Sequence, residues 1–207
     1  IGFDKGHVTL DDQNLKTQLD LLIDPLGKPI PFSDIVGDKA AKNASQRGAA
    51  PMDYAFGLKV KGQYHGQTLA GQGKIGGLLA LQDATRPFPL QAQAKIGDTS
   101  VELAGTLTDP MSLGALDLQL KLAGTSLGNL YPLTGVTLPD TPPYATDGHL
   151  IAKLHEPGGA VFRYEAFNGK IGESDIHGDL TYVAVSHDQS SAARCCLTNC
   201  CLLTWPH

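Results

Sequence analysis

Apolar and polar residues alternate along much of this 207-residue chain. The run LDLQLKL places Leu116, Leu118, Leu120 and Leu122 on one face of an extended strand, with polar residues on the other face. A helix would scatter these leucines around its circumference. The same period of two recurs in LDLLID from residue 19, FGLKVKG from 56, LQAQAKI from 90, VELAGTL from 101 and HLIAKL from 149. The pattern therefore predicts a series of strands that each have one apolar face.

Short turn signals separate these strands. They are His65-Gly66, Gly97-Asp98 and Gly158-Gly159, and each joins neighbouring runs closely enough for a hairpin. Hairpins connect antiparallel strands, whereas parallel strands need long crossovers. The sequence therefore predicts an antiparallel meander.

One hairpin unit recurs within the chain. KIGDTSVELAGTLT starts at Lys95, KIGESDIHGDLTY starts at Lys170, and YHGQTLAGQGKIG from Tyr64 is a fainter third copy. A single hairpin cannot bury its own apolar face, so repeated units are expected to line up side by side.

Three segments break the alternation. Residues 37–53 are small and polar and predict a loop or a frayed helix, and residues 126–131 predict a short helical turn before a proline-rich link that extends to 144. From residue 186 the alternation stops, and all four cysteines follow, at 195, 196, 200 and 201. Zinc sites usually use separated Cys-x-x-Cys pairs rather than adjacent cysteines. We therefore expect a β domain over residues 1–185 and an irregular, non-native tail over 186–207.

Composition narrows the choice of partners. A hydrophobic content of 42% is enough for a sizeable core, and a net charge of -5 without a run of Lys and Arg argues against a nucleic-acid partner. The sequence has no apolar run of membrane length. Because it starts at Ile1 rather than Met, we expect the chain to be a piece of a longer protein.

One acidic row could suggest a metal or acid-base site. Glu173, Asp175, His177 and Asp179 stand two apart and would project from one face of a strand. Side chains two apart run parallel about 6 to 7 Å from each other, so four of them cannot converge on one ion. We interpret this row as the solvated face of a half-buried strand.

Elsewhere no nucleophile elbow or His-x-x-x-His spacing occurs, and GQGKIGG from residue 71 resembles a phosphate loop only loosely. We expect no catalytic residue, no cofactor and no metal.

Four motifs recur in a known pattern: NLYPLTGVTLPDTPPY from residue 129, FNGKIGESDIHGDLTY from 167, LAGTLTDP from 103 and FDKGHVTLDD from 3. They resemble the C-terminal part of the AsmA family of bacterial envelope proteins, and the resemblance spans most of residues 1–184. It implies a protein anchored in the inner membrane by a helix absent from this chain, with a β body in the periplasm. It also implies a likeness to lipid transporters with an apolar β groove, and a role in outer-membrane assembly. The cysteine-rich end has no counterpart in the family.

The combined prediction is a mainly β, antiparallel meander of hairpin repeats that forms an open, curved or groove-like sheet with a short helical insertion. Under the resemblance, the chain is a non-enzymatic envelope segment that binds phospholipid or another acyl-chain lipid. The residues predicted to line the groove are Val101, Leu103, Leu116, Leu118, Leu120, Leu122, Ile176 and Leu180. The alternative is a structural or interaction module whose apolar face is sealed by a second layer.

Overall fold

The computed structural model of the chain describes residues 6–12, 16–36, 53–77, 80–81, 83–84, 86–112, 114–134, 137–155, 159–184 and 193–203. Its strands are β1 (Gly6–Asp12), β2 (Thr17–Pro31), β3 (Asp53–Tyr64), β4 (Gln67–Ile75), β5 (Phe88–Ile96), β6 (Thr99–Thr108), β7 (Ala115–Gly124), β8 (Tyr144–Lys153), β9 (Ala160–Ile171), β10 (Ser174–Ala184) and β11 (Ala193–Leu203). The helical elements are α1 (Ser33–Val36), a 3-10 helix (Leu127–Leu130) and α2 (Tyr131–Thr134).

All of these strands belong to one sheet. They lie side by side in chain order, every neighbouring pair is antiparallel, and β1 and β11 are the two edges. This arrangement confirms the predicted meander, because tight connections leave each strand beside the one before it.

The repeated KIG motif forms equivalent hairpins in two places. In both, the glycine after the Lys-Ile pair has a positive φ, 56° at Gly97 and 59° at Gly172. Each of these glycines also donates its backbone N–H to the segment beside the first strand of its hairpin, Gly97 to Thr68 O at 2.9 Å and Gly172 to Pro143 O at 2.8 Å. Glycine reaches this left-handed conformation without steric cost, which explains why the motif carries it at this position.

The register brings the apolar positions of neighbouring strands opposite one another. Leu103 on β6 lies between Ala92 on β5 and Leu120 on β7, and Val101 lies opposite Leu122. Since cross-strand partners point to the same side of a sheet, the alternation in each strand adds up to one apolar face and one polar face for the whole sheet.

The sheet bends towards its apolar face at β4. β3 and β5 approach within 8 Å between Cα atoms although β4 lies between them, whereas next-nearest strands in a flat sheet are about 9.6 Å apart. A Cβ placed on Gly71 would lie 3.0 Å from Ala94 Cβ and 3.1 Å from Val60 Cγ1. These two apolar side chains converge over Gly71, so the apolar face is the inside of the bend.

The helical elements lie at the ends of the strands. The 3-10 helix and α2 confirm the predicted helical turn, with Ser126 as the N-cap. α1 was not predicted, and it lies against β6 as well as β2. Residues 37–52 of the predicted loop lie outside the described residues, and Asp53 already begins β3. None of the helices in the described ranges has the length and hydropathy needed to cross a membrane.

The cysteine-rich tail requires a correction. We expected residues 186–207 to be irregular, but Ala193–Leu203 forms β11 and pairs with β10 in antiparallel register, with Thr181 opposite Cys196. The backbone of an edge strand offers unpaired N–H and C=O groups to any extended segment, whatever the alternation of its side chains. The absence of alternation therefore did not exclude a strand. Residues 185–192 and 204–207 lie outside the described part of the chain.

Candidate functional site

The apolar face of β2 to β10, which is the inside of the bend at β4, forms a trough. Its positions fall into three cross-strand rows that follow the sheet register. The first row is Leu21, Val60, Gly71, Ala94, Val101, Leu122, Thr146, Gly169 and Ile176; the second is Ile23, Leu58, Gly73, Ala92, Leu103, Leu120 and Gly148; the third is Phe56, Ile75, Leu90, Gly105, Leu118, Leu150, Tyr164 and Leu180.

Every residue predicted to line a groove lies on this one face. Leu116 continues it beyond the third row, opposite Leu107. Leu118 is buried, with 3% of its surface exposed. The other seven, Val101, Leu103, Leu116, Leu120, Leu122, Ile176 and Leu180, are only half-buried. The sheet therefore leaves most of this apolar surface in partial contact with solvent.

Sequence reasoning missed the part of the trough on β2 to β4. Leu21, Ile23, Leu58 and Val60 are half-buried and face the same way as the predicted residues. Their alternation was visible in LDLLID and FGLKVKG, so the signal was present. What the sequence did not show was that these strands continue the face of the leucine row.

An aromatic pair lies in the trough between β8 and β10. The rings of Tyr164 and Phe167 stack with centroids 5.4 Å apart and an angle of 5° between their planes. A β-bulge separates them, because Ala166 has a φ of 49° and the register shifts on both sides of β9. A Cβ on Gly148 would come within 2.7 Å of the Tyr164 ring, so only glycine leaves room for this pair.

The Tyr164 hydroxyl is anchored within the trough. It donates to the carbonyl oxygen of Leu120 at 3.0 Å and lies 3.3 Å from the hydroxyl of Thr146. Burial raises the pKa of Tyr164, the hydrogen bond to Thr146 lowers it in part, and the nearby charge of Asp147 adds to the rise. The ring therefore presents its apolar surface to the trough while its polar group is satisfied.

An aromatic cluster lies where β2, α1 and β3 meet. The Phe32 and Tyr54 rings have centroids 5.9 Å apart, and 5% and 0% of their surfaces are exposed. The Tyr54 hydroxyl is buried without a hydrogen-bond partner, and its burial raises the pKa of Tyr54. Phe88 and Leu107, opposite each other on β5 and β6, are also buried.

Two of the motifs that carry the AsmA resemblance, NLYPLTGVTLPDTPPY and FNGKIGESDIHGDLTY, meet at one end of the strands. Thr141 donates its backbone N–H to Ser126 Oγ at 3.0 Å, and Leu127 donates to Thr141 Oγ1 at 3.1 Å. The turn glycine Gly172 lies against Pro142. Tyr144 covers Gly124, with its ring 2.9 Å from a Cβ placed there. These motifs therefore fold the 3-10 helix and the proline link onto the ends of β7 to β10.

The polar face carries the charged residues. Lys121 pairs with Asp147 at 3.5 Å, and His149 Nε2 lies 2.6 Å from Asp117 Oδ1. In the part of the chain that the structure describes, no group of three or more His, Cys, Asp or Glu residues is placed to hold a metal ion.

The acidic row of β10 has separate partners rather than a common ligand. Asp175 pairs with Lys170 at 3.5 Å, and Asp179 accepts a 2.7 Å hydrogen bond from the backbone N–H of Ala166 in the β9 bulge. His177 lies opposite Asn168. Asp175, His177 and Asp179 thus lie on a polar strand face, and Asp179 also stabilises the bulge. Glu173, predicted to share this face, lies in the turn before β10 instead.

Comparison with known proteins agrees with the motifs. The sequence pattern of the AsmA family matches residues 1–193. The chain is 51% identical over 180 residues to the AsmA family protein YhjG of Escherichia coli strain K12, a match that covers 87% of this chain and 26% of that protein. The chain thus spans about a quarter of the length of this curated relative. No solved structure matches significantly. With the family pattern extending over β1 to β10, the chain belongs to the AsmA family of bacterial envelope proteins.

Proposed function

We propose that the apolar trough holds the acyl chains of phospholipids and that the chain contributes a lipid-transfer path to a non-enzymatic protein that maintains the outer membrane. The protein would act at the periplasmic face of the inner membrane, anchored by a segment outside this chain. The observation that carries the proposal is the continuous, half-buried apolar face on the inside of a bent sheet.

The shape and chemistry of the trough support an elongated apolar ligand. Its first row runs across nine consecutive strands, β2 to β10, the second runs from β2 to β8, and the third from β3 to β10. Neighbouring strands are about 4.8 Å apart, so the rows form a long apolar surface rather than a closed pocket. Polar atoms within it are few and satisfied, as at Tyr164. Such a surface gains free energy by removing acyl chains from water, at about 25 cal/mol per Å².

A sealed structural module remains the competing function. It would require the half-buried leucines to be covered by another layer, whereas all the described strands belong to a single sheet. An enzyme has less support, because Ser100, the hydroxyl in the depression on the polar face, forms no hydrogen bond with a base among the described residues.

Lipid content of the purified protein tests the trough. We expect the wild-type chain, purified from bacterial cells without detergent, to carry phospholipid that mass spectrometry detects after extraction. Leu120→Asp places a charge at a half-buried position in the second row and should release most of this lipid, while the circular dichroism of the sheet is retained.

The matched control is Gln119→Asp, one residue away on the polar face, where the side chain is exposed. It introduces the same carboxylate and should leave the lipid in place. The proposal fails if wild-type protein carries no phospholipid. It also fails if Leu120→Asp unfolds the chain and Gln119→Asp does not, because that result would mean a sealed core.

A further inference from the structure

We infer that the polar face of β3 to β5 is a docking surface for anionic phospholipid headgroups. The surface consists of Lys59, Lys61, Lys74 and Lys95. The sequence separates these lysines into three runs, and the fold brings them onto one face. This surface lies opposite the trough and does not depend on the trough's ligand.

The sheet register sets the spacing of the lysines. Lys61 and Lys95 lie on either side of Ala70, and Lys59 is two residues from Lys61 on the same strand. Lys59, Lys61 and Lys95 are exposed and border an open depression of about 430 Å³ whose floor includes Ala70 and Gly71. Because the residues at the bottom of the depression are small, they do not block the ammonium groups, which can extend from the sheet towards a membrane surface.

These lysines differ from the other cations on the polar face. Lys121 pairs with Asp147 and Lys170 pairs with Asp175. Among the described residues, Lys59, Lys61, Lys74 and Lys95 form no ion pair. Positive charge therefore accumulates here in a chain whose net charge is -5.

Three carboxylates border the surface and do not cancel it. Asp24 lies in the same cross-strand row as Lys74, with Gly57 between them, and has another interaction partner. Asp20 lies opposite Lys61, but it accepts from the Thr9 hydroxyl at 3.2 Å and lies 3.7 Å from His7 Nε2. Glu102 lies at the other border, opposite Lys121 on β7. Four lysines thus face three carboxylates, two of which have other partners.

The composition of the surface favours a lipid headgroup over a protein partner. The neighbours of the lysines are Ala70, Gln72 and Gln93, and no residue that lines the depression is aromatic or an arginine. The cores of protein interfaces are enriched in Tyr, Trp and Arg and depleted in Lys. Flexible lysines without an apolar anchor suit a diffuse layer of phosphate charge, such as an anionic membrane surface.

Vesicle binding tests this surface. The experiment measures the partition of the chain onto phosphatidylcholine vesicles with and without phosphatidylglycerol. The ratio of the two partition coefficients is the preference for anionic lipid, and apolar binding through the trough cancels in it. We expect the anionic vesicles to bind more strongly, and Lys61→Gln with Lys95→Gln to lower that preference by roughly fivefold for each lysine. Raising the ionic strength from about 0.01 M to about 1 M should abolish the preference, since the screening length falls from about 30 Å to about 3 Å.

The matched control is the double variant Lys121→Gln with Lys170→Gln, which removes the same charge from paired lysines on the same face. It should keep the preference within about twofold of wild type. The inference is overturned if wild type shows no preference for anionic vesicles, a result that would leave an acidic protein as the occupant. It is also overturned if the control variant loses as much of the preference for anionic vesicles as the test variant does, or if salt does not change that preference. The Leu120→Asp trough variant should retain the preference for anionic vesicles. The docking surface and the lipid trough can therefore be disproved independently of each other.

Discussion

Tyr164 on β9 donates a hydrogen bond to the carbonyl oxygen of Leu120 on β7, although β8 lies between the two strands. The reach is possible because the position between them is Gly148, which lies opposite Leu120 and has no side chain. The β9 bulge and the absence of a Cβ at Gly148 together place an aromatic ring across the trough.

Adding a methyl group at Gly148 should therefore destabilise the protein. The new Cβ would lie 2.7 Å from the Tyr164 ring and 2.8 Å from Phe167 Cβ, so the aromatic pair would have to move. We expect Gly148→Ala to lower the free energy of unfolding by about 1 to 3 kcal/mol, measured by urea denaturation. The control is Gly27→Ala on β2, where no atom lies within 4 Å of the new Cβ and stability should change little. Equal effects of the two substitutions would contradict the role assigned to Gly148.

Two buried tyrosines should respond in opposite directions to loss of the hydroxyl. Tyr54 has a buried hydroxyl without a partner, whereas the Tyr164 hydroxyl bonds to Leu120 and Thr146. An unsatisfied buried polar group costs about 1 to 3 kcal/mol and a satisfied one contributes about 1 kcal/mol. We therefore expect Tyr54→Phe to raise the free energy of unfolding and Tyr164→Phe to lower it, in the same urea assay. A loss of stability in Tyr54→Phe would show that its hydroxyl has a partner in solution.

The sequence predicted the strand order and the facing of each strand because both depend on local signals. Alternation fixes which side of a strand is apolar, and two-residue turns such as Gly97-Asp98 fix its neighbour. The eight predicted lining residues share one face for this reason. How far each is covered could not be predicted, since Leu118 is buried while Leu120, two residues away, is half-buried. That difference arises from the bend and from contacts between strands distant in the sequence.

The sequence also could not show which side chains become neighbours on the polar face. Lys61 and Lys95 are 34 positions apart in the chain and become neighbours only through β4. Likewise, the acidic row of β10 gave no sign that Asp179 would bind the backbone of a bulge, because the bulge depends on the register of β9 against both its neighbours. Prediction succeeded where a feature is local and failed where it depends on cross-strand register.

Alkaline pH should destabilise the fold through its buried tyrosines. Burial raises the pKa of Tyr54, Tyr144 and Tyr164 in the folded chain, whereas in the unfolded chain each ionises near pH 10. Below that pH these tyrosines are protonated in both states and add no pH dependence to the free energy of unfolding. Above it the unfolded chain releases protons that the folded chain keeps, so the free energy of unfolding falls as the pH rises.

Comparing wild type with Tyr54→Phe isolates one of these tyrosines. The stability difference between the two proteins should be constant from pH 7 to about pH 9 and then shift in favour of Tyr54→Phe, by about 1.4 kcal/mol at pH 11. Urea denaturation across this range measures it. Tyr131→Phe is the control for removing a tyrosine hydroxyl from an exposed position, because that side chain is 55% exposed and its loss at pH 7 should change the free energy of unfolding little. A constant difference between wild type and Tyr54→Phe up to pH 11 would mean that Tyr54 ionises as freely in the folded chain as in the unfolded one.

Within the acidic row of β10, Asp179 should matter to stability more than Asp175. Asp179 accepts a 2.7 Å hydrogen bond from the Ala166 N–H, a donor that the bulge removes from the ladder, whereas Asp175 forms a 3.5 Å ion pair with both side chains more than 60% exposed. Exposed ion pairs contribute about 0 to 1 kcal/mol, while a hydrogen bond to a carboxylate contributes about 1.5 to 3 kcal/mol, at the lower end where solvent has access. Asp179→Ala should therefore cost about 1 kcal/mol more than Asp175→Ala, and Asp179→Asn should recover part of the loss because its amide oxygen can still accept.

Amide hydrogen exchange at Ala166 gives a local readout: the exchange rate should rise in Asp179→Ala and stay near that of wild type in Asp175→Ala. If both variants exchange at the same rate, the row is only a solvated strand face and the bulge is held by other contacts.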